Sequence, residues 1–172
     1  MTDKIIIIRG NSGSGKTTVA KELCKRLGNS NVMLLSQDVV RREILHAKDG
    51  QNNKSIDLFK MMIEYGKDNS EFIILEGIFN SNWYKLLFDF IKDSFTQIYS
   101  YYYDISFEET IRRHSSKQIA DFTVNDMKRW WNEKDYLYFE NEVILTENLS
   151  CGDVVDMIFN DIGVLNQKIE CD

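Results

Sequence analysis

A glycine-rich motif near the start of the chain constrains its fold more than any other feature. An apolar run at residues 5–8 leads into the sequence GNSGSGKT at residues 10–17, and a helix-like pattern follows. The motif fits G-x-x-x-x-G-K-[ST], in which glycines let successive backbone N–H groups point at one centre. The following helix adds its positive N-terminal end. Strand, loop and helix in this order predict a phosphate-binding P-loop, and the alternative is a flexible Gly/Ser turn.

The motif also assigns roles to single side chains. Lys16 can reach the terminal phosphates of a nucleotide, and the Thr17 hydroxyl can ligate Mg²⁺. The sequence therefore predicts a bound nucleotide with a magnesium ion. The predicted nucleotide-binding residues are Gly10, Asn11, Ser12, Gly13, Ser14, Gly15, Lys16, Thr17 and Thr18.

Length and composition favour one domain over residues 1–172. The chain has no proline, no linker-like tract and no repeat. Its first apolar run is too short to span a bilayer and lacks the flanks of a signal peptide, so we expect a cytoplasmic protein without a membrane partner. Three widely spaced cysteines predict neither a zinc site nor a disulfide framework. The net charge of −6 argues against a broad nucleic-acid-binding surface, but a local basic site stays open.

Strand-like and helix-like segments alternate along the chain, and the strand-like segments are almost entirely apolar. This pattern is typical of an α/β fold, in which helices cover both faces of a parallel sheet. The predicted strands are residues 4–9, 32–36, 72–76, 98–103 and 143–145. The predicted helices with apolar residues at helical spacing include 39–45 (Val40, Ile44, Leu45), 56–69 (Leu58, Met61, Met62, Tyr65) and 83–92 (Leu86, Leu87, Phe90, Ile91).

Open α/β sheets bind ligands beyond the carboxyl ends of their strands, so residues after each strand are the candidates. Asp38 follows the second strand, and Arg41 lies one helical turn further on. A carboxylate there can orient a substrate hydroxyl or accept its proton, and an arginine can hold an anionic or polar group. The alternative is that Asp38 caps the helix and that Arg41 and Arg42 are solvated.

Two further strands are followed by charged candidates. Glu76 ends an apolar strand, where an unpaired charge would be costly, and it resembles the acid that acts on Mg²⁺ in P-loop proteins. Its alternative role is to accept hydrogen bonds from nearby backbone N–H groups. A helix opened by a capping box at Ser106 and Glu109 ends in Arg112 and Arg113, which can stabilise a transferring phosphoryl group.

The segment beyond these arginines predicts a small helical lid at about residues 114–126. Lys117 lies within it as a third cation, and a helix is predicted from residue 123 to about 134. The alternative is an ordinary basic helix end that complements the helix dipole. Trp130 and Trp131 are interpreted first as packing residues, with the lining of a substrate cleft as the alternative.

The chain resembles the small P-loop kinases with a nucleoside-monophosphate-kinase-like core. Within these it is most similar to the group of zeta toxins, chloramphenicol phosphotransferase and polynucleotide kinase. The P-loop at residues 10–17, the Asp38-x-x-Arg41 pair and the Arg112-Arg113 pair carry the resemblance, which spans nearly the whole chain in layout. It implies a three-layer α/β/α sandwich with a five-stranded parallel sheet of order 2-3-1-4-5.

The resemblance also implies an ATP-dependent phosphotransferase that acts with Mg²⁺ on a hydroxyl of a small molecule. In this interpretation Lys16, Asp38, Arg41, Arg112 and Arg113 carry the catalysis, Arg113 also contacts the nucleotide, and Thr17 and Glu76 bind the metal. Acceptors of the nucleoside, antibiotic and sugar-nucleotide classes stay open. The alternatives are a polynucleotide 5′-hydroxyl kinase, disfavoured by the acidic chain, and a regulatory ATPase without an acceptor. A signalling GTPase is disfavoured because the sequence has no N-K-x-D motif.

Overall fold

The computed structural model describes residues 2–115 and 123–163, and within them five strands form one parallel sheet. The strands are β1 (Lys4–Gly10), β2 (Val32–Ser36), β3 (Phe72–Gly77), β4 (Gln97–Tyr103) and β5 (Glu142–Leu145). Their order in the sheet is β2-β3-β1-β4-β5, and every pairing is parallel. The predicted α/β fold class and the strand order 2-3-1-4-5 are therefore confirmed.

Six α-helices connect and flank the strands in the described residues. They are α1 (Lys16–Leu27), α2 (Ser55–Asn69), α3 (Lys85–Ser94), α4 (Phe107–Ser115), α5 (Val124–Arg129) and α6 (Cys151–Asp161). A 3₁₀ turn spans Asn29–Asn31, and a π-helical segment spans Val39–Ile44. None of the helices described is long and apolar enough to cross a membrane. The centre of the predicted lid, residues 116–122 with Lys117, lies outside the described residues.

The two faces of the sheet each bury an apolar core. Successive side chains of a strand point to opposite faces, so the four isoleucines of β1 divide between the cores. Ile6 and Ile8 pack in the core that contains α1 and α6, whereas Ile5 and Ile7 pack in the core that contains α2 and α3. All four are fully buried. Each contributes about 1.5–3 kcal/mol to folding, which fixes β1, and with it the P-loop, at the centre of the molecule.

The helical spacing of apolar residues does not decide which of them are buried, and one predicted helix end is wrong. The buried side of α2 holds Ile56, Phe59, Ile63 and Gly66, while Met61 and Tyr65 are exposed. A Cβ atom at Gly66 would lie 3.0 Å from Ile73 Cδ1, so this glycine lets α2 pack closely on β3. Helix α5 stops well short of the predicted residue 134. Leu86 and Ile44 are predicted to face inward, but both are exposed.

The sheet brings the candidate residues to one edge. Glu76 of β3 pairs with Ile8 of β1 on one side and with Ser36 of β2 on the other. On the far side of β1, Gly10 pairs with Tyr103 at the end of β4. The carboxyl ends of four strands therefore meet around the P-loop, where ligands of open α/β sheets bind.

Candidate active site

The P-loop has the backbone that its glycines allow. Gly13 and Gly15 have φ values of +83° and +106°, which lie in the left-handed region that favours glycine. A Cβ atom at Gly13 would lie 2.7 Å from the carbonyl oxygen of Thr110, so the loop packs directly against α4. Helix α1 begins at Lys16, immediately after Gly15. Its N-terminal N–H groups therefore belong to the same loop, which is the arrangement that binds phosphate.

Two buried polar side chains fit the phosphate groups of a nucleotide. Lys16 is 8% exposed, and its ammonium group donates a hydrogen bond to the carbonyl oxygen of Asn11 at 3.1 Å. The Ser14 hydroxyl is buried and has no hydrogen-bond partner among the described residues. A buried donor without a partner is costly, and a phosphate oxygen would satisfy it. The residues of the loop thus fit a nucleotide.

Thr17 and Glu76 form the predicted metal-binding pair. The Thr17 hydroxyl donates a hydrogen bond to Glu76 Oε2 at 3.0 Å, and Glu76 is 2% exposed. One hydroxyl and one carboxylate at the end of the P-loop are oxygen ligands of the kind that Mg²⁺ prefers, usually together with phosphate oxygens and water. The pair therefore fits magnesium. In this geometry the Glu76 carboxylate accepts its hydrogen bond from the side chain of Thr17.

Asp38 does not cap the helical segment that follows it. Its carboxylate makes no hydrogen bond to the first backbone N–H groups, and its backbone is itself helical. Asp38 Oδ1 instead accepts a hydrogen bond from Arg41 Nη2 at 2.9 Å and pairs with Arg42 Nε at 3.1 Å. The Asp38 side chain is 61% exposed. The carboxylate therefore reaches solvent at the edge of the sheet, where a substrate can meet it.

Arg41 is held in place rather than solvated. Its side chain is 12% exposed, and Nη1 donates a hydrogen bond to the carbonyl oxygen of Ala47 at 3.1 Å. The segment Val39–Ile44 that carries it is π-helical, a rare local structure that occurs frequently at functional sites. Arg42 is more exposed, and its guanidinium carbon lies 5.3 Å from the centre of the Trp130 ring.

A cavity of about 580 Å³ lies beside the P-loop. Ser12 of the loop, Asp38 and Arg41 line it, together with Trp83, Trp130 and Trp131. We call this space the tryptophan cavity. Its volume is within the range of pockets that bind small molecules. The alternative interpretation of Trp130 and Trp131, as residues that line a cleft, agrees with this placement.

The floor of the tryptophan cavity is a buried polar network that sequence patterns do not reveal. Gln37 Nε2 donates hydrogen bonds to Asp49 Oδ2 at 3.0 Å and to the Tyr84 hydroxyl oxygen at 2.9 Å. Gln37 Oε1 accepts hydrogen bonds from the backbone N–H groups of Ile78 and Phe79. Burial raises the pKa of the Tyr84 hydroxyl, which therefore stays protonated and donates to Asp49. The network joins segments that lie far apart in the sequence.

A second cavity, of about 530 Å³, lies on the other side of the P-loop. Gly13, Gly15, Thr18 and Tyr103 line it together with Arg113, and we call it the Arg113 cavity. Arg113 Nη1 donates a hydrogen bond to the Ser14 carbonyl oxygen at 2.7 Å, which attaches the end of α4 to the P-loop. The predicted approach of Arg113 to the nucleotide-binding residues therefore matches the geometry.

Arg112 is placed differently from Arg113. It is 74% exposed and donates two hydrogen bonds to the Glu109 carboxylate, at 2.6 and 2.7 Å. Hydrogen bonds from Arg112 and Arg113 lower the pKa of Glu109 to about 2. Because Glu109 is bound to both arginines, the predicted capping box is only half formed: the Glu109 N–H donates to the Ser106 hydroxyl at 3.2 Å, but the Glu109 carboxylate makes no reciprocal bond.

Comparison with known proteins identifies a family and a set of similar folds. A family model described as an AAA domain matches residues 5–130. No curated protein matches the sequence. Among solved structures, the APS kinase of Mycobacterium tuberculosis in complex with AMPPNP and APS is 15% identical, with a TM-score of 0.68 over 94% of this chain and 98% of that chain.

Two other solved structures are similar over nearly their whole length. The tunicamycin resistance protein of Deinococcus radiodurans is 18% identical, with a TM-score of 0.66 over 94% of this chain and 96% of that one. A gluconokinase from Sinorhizobium meliloti is 13% identical, with a TM-score of 0.64 over 99% and 98%. At these identities the likeness shows the fold, which is that of P-loop kinases. The narrower resemblance to the zeta-toxin and polynucleotide-kinase group stays a prediction.

Proposed function

The chain belongs to the AAA domain family, and on that basis we propose that it is an ATP-dependent kinase that transfers the γ-phosphoryl group to a hydroxyl of a small molecule. Its structural neighbours include an APS kinase and a gluconokinase, which are kinases by name. The same proposal places the protein in the cytoplasm, where ATP is available. The acceptor occupies a site of its own, separate from the nucleotide.

The position of the P-loop between two cavities carries this proposal. Gly13 and Gly15 line the Arg113 cavity, whereas Ser12 lines the tryptophan cavity. The Arg113 cavity takes the nucleoside part of ATP, and the tryptophan cavity takes the acceptor, so the phosphates lie between them. A phosphoryl transfer needs this arrangement because the attacking and leaving oxygens must lie on opposite sides of the phosphorus. A regulatory ATPase needs only one of the two cavities.

In this proposal each candidate residue has one task. Lys16 and the N–H groups of the loop hold the phosphates, and Thr17 and Glu76 hold Mg²⁺. The metal ion, when bound, neutralises charge on the phosphate oxygens. Asp38 orients the acceptor hydroxyl and takes its proton as the new oxygen–phosphorus bond forms and the bond to the ADP oxygen breaks. Arg41 holds the acceptor, and Arg112 and Arg113 stabilise the charge on the transferring group.

A screen of hydroxyl compounds for acceptor-dependent release of ADP tests the proposal. We expect at least one small molecule to raise ADP release above basal hydrolysis and to gain the mass of one phosphate group. Lys16→Ala removes the main side-chain cation of the loop, so it abolishes both this release and the thermal stabilisation by ATP with Mg²⁺. Lys21→Ala is the matched control, because Lys21 is an exposed lysine of the same helix.

Each alternative function gives a different result in the same screen. ADP release that is identical with and without every acceptor overturns the kinase proposal in favour of a regulatory ATPase. Phosphorylation of a 5′-hydroxyl oligonucleotide alone, with no small-molecule product, overturns it in favour of a polynucleotide kinase. Absence of ATP binding to the parent protein overturns the nucleotide assignment itself.

A further inference from the structure

All three tryptophans of the chain line a single cavity. Trp83, Trp130 and Trp131 come from two segments of the sequence, and all three line the tryptophan cavity. Two of the rings have close neighbours. The centre of the Trp130 ring lies 5.3 Å from the Arg42 guanidinium carbon. The Trp131 ring packs edge-on against Phe107, with 5.1 Å between the ring centres. Rigid indole rings provide flat apolar surfaces on which a planar ring stacks, at about 0.5–1.5 kcal/mol beyond its buried area.

The charged residues around the same cavity have an excess of positive charge. Four cationic side chains line it among the described residues, against two carboxylates, Asp38 and Asp49. The chain as a whole has a net charge of −6, so this local excess runs against its overall charge. A cleft with one sign of charge raises the local concentration of ligands with the opposite sign. The four cations are Arg41, Arg42, Lys48 and Arg129.

Arg41 also has a donor without a hydrogen-bond partner in the part of the chain that the structure describes. This donor is the buried Nε atom, and the Asp49 Oδ2 atom lies 4.0 Å from it, beyond hydrogen-bond distance. The guanidinium group is fixed by Asp38 and the Ala47 carbonyl, so it cannot turn freely to find a partner. An oxygen of a bound anion would satisfy this donor through a charge-assisted hydrogen bond.

We propose that the tryptophan cavity selects an acceptor that carries both a flat aromatic ring and an anionic group besides its hydroxyl. The ring stacks on an indole face, and the anion pairs with the arginine side chains of the lining, which leaves the hydroxyl near Asp38. That the ligand is an acceptor rests on the proposed kinase function, whereas the chemical class of the ligand follows from the cavity alone. A neutral sugar uses neither the excess charge nor the indole faces.

Four matched probes separate the two parts of the inference. Uridine 5′-monophosphate has a ring and an anion, uridine has the ring alone, ribose 5-phosphate has the anion alone, and ribose has neither. Binding is measured by calorimetry without ATP and by tryptophan fluorescence, which reports on this cavity because every tryptophan lines it. We expect uridine 5′-monophosphate to bind at least about tenfold more tightly than each of the other three.

Two substitutions test the surfaces that make these contacts. Arg42→Gln removes a cation of the lining and Trp83→Leu removes an aromatic wall residue, so each should weaken binding of uridine 5′-monophosphate about tenfold. Arg26→Gln is the matched control for charge, because Arg26 also pairs with an aspartate and lies over an aromatic ring, at a different surface. Tyr65→Leu is the control for loss of an exposed aromatic ring.

The outcomes distinguish this inference from the kinase proposal. Equal affinities for the four probes overturn the inference. It is also overturned if Lys16→Ala abolishes binding while Arg42→Gln and Trp83→Leu leave binding unchanged, because the probe then occupies the P-loop. Phosphorylation of a neutral sugar without binding of uridine 5′-monophosphate supports the kinase and overturns the ligand class. Binding in the cavity with no phosphorylated product from any acceptor supports the ligand class and overturns the kinase.

Discussion

Asn11 and Asn132 are joined by two hydrogen bonds. Asn11 Nδ2 donates to the carbonyl oxygen of Asn132 at 2.7 Å, and the Asn132 N–H donates to Asn11 Oδ1 at 2.8 Å. Asn11 belongs to the P-loop, and Asn132 follows the two adjacent tryptophans in the wall of the tryptophan cavity. A single side chain therefore fixes the position of the cavity wall relative to the loop that binds phosphate.

Asn11→Ala should loosen this wall. The substitution removes both hydrogen bonds and leaves the Asn132 N–H without its Asn11 partner, so we expect the free energy of unfolding to fall by about 1–3 kcal/mol. Urea denaturation measures the change, and tryptophan emission should shift because Trp130 and Trp131 precede Asn132. Ser12→Ala, at the neighbouring loop position, should change neither quantity. Unchanged stability and emission in Asn11→Ala would contradict the structural role.

Asp38→Asn tests the assignment of Asp38 to the acceptor hydroxyl. The amide keeps the shape of the side chain but cannot take a proton, so phosphoryl transfer should fall about 10²–10⁴-fold while the ATP affinity stays at the parental value. Glu43→Gln is the control, since Glu43 is an exposed carboxylate of the same helical segment and does not line the cavity. Turnover near the parental rate in Asp38→Asn would assign Asp38 to ion pairing with Arg41 and Arg42 alone.

Glu76→Gln tests the metal assignment. The amide can still accept the hydrogen bond from Thr17, but it lacks the charge that a magnesium site uses. We expect the Mg²⁺ concentration needed for half-maximal ADP release to rise about 10–100-fold. Thr17→Ser keeps the hydroxyl and should stay close to the parent. An unchanged magnesium dependence in Glu76→Gln would show that Glu76 only positions Thr17.

Acid titration should reveal the ion pairs of Glu109. Arg112 and Arg113 lower the pKa of Glu109 from 4.5 to about 2 in the folded protein. Because the folded-state pKa of the Glu109 carboxyl is lowered, its ion pairs stabilise the folded protein fully above about pH 4.5, and this stabilisation is lost as the pH falls toward about 2. The free energies of unfolding of the parent and Glu109→Gln should therefore converge over this range.

The neighbouring carboxylate provides the comparison. Glu108 is exposed on the same helix and makes no ion pair among the described residues, so Glu108→Gln is the control that removes a carboxylate of α4 without removing an ion pair. A difference between the parent and Glu109→Gln that stays constant through the titration would remove the proposed link between Glu109 and the two arginines.

The sequence predicts the sheet better than the helix faces. An apolar run such as Ile5-Ile6-Ile7-Ile8 is buried on both faces of the sheet, so its position alone predicts a central strand. The predicted ends of β1 and β3 agree with the structure to within one residue. Helix α2 has apolar residues around much of its circumference, and only contact with β3 decides which of them are buried. Gly66 marks that contact through its close approach to Ile73, but a lone glycine in a helical pattern predicts no direction.

The candidate site divides in the same way between local and long-range features. The P-loop is a local motif, and Asp38 and Glu76 become candidates because parallel strands end at one edge of a sheet. Gln37 and Asp49 could not be found, because their contacts with Tyr84 join segments about 30–50 residues apart and have no local pattern. The tryptophan cavity likewise depends on residues that only the fold brings together.

The last prediction separates Arg113 from Arg112. Arg113 is 22% exposed, contacts the P-loop through Ser14 and lines the cavity assigned to the nucleoside part of ATP. Arg113→Ala should therefore weaken ATP binding about tenfold or more, as measured by calorimetry. Arg112 is mostly exposed and makes no hydrogen bond to the loop among the described residues, so it meets the phosphoryl group only if the end of α4 closes over it.

An arginine that acts only in a closed state stabilises the transition state more than bound ATP. Arg112→Ala should therefore leave the ATP affinity unchanged and lower the maximal rate at least about tenfold, which corresponds to roughly 1.4 kcal/mol of barrier. Arg112→Lys keeps the charge and should recover part of the rate. Hydrogen exchange at the end of α4 should slow when an ATP analogue and an acceptor bind together. Parental rates and affinities in both alanine variants, with exchange that ignores the ligands, would make the pair an ordinary basic helix end.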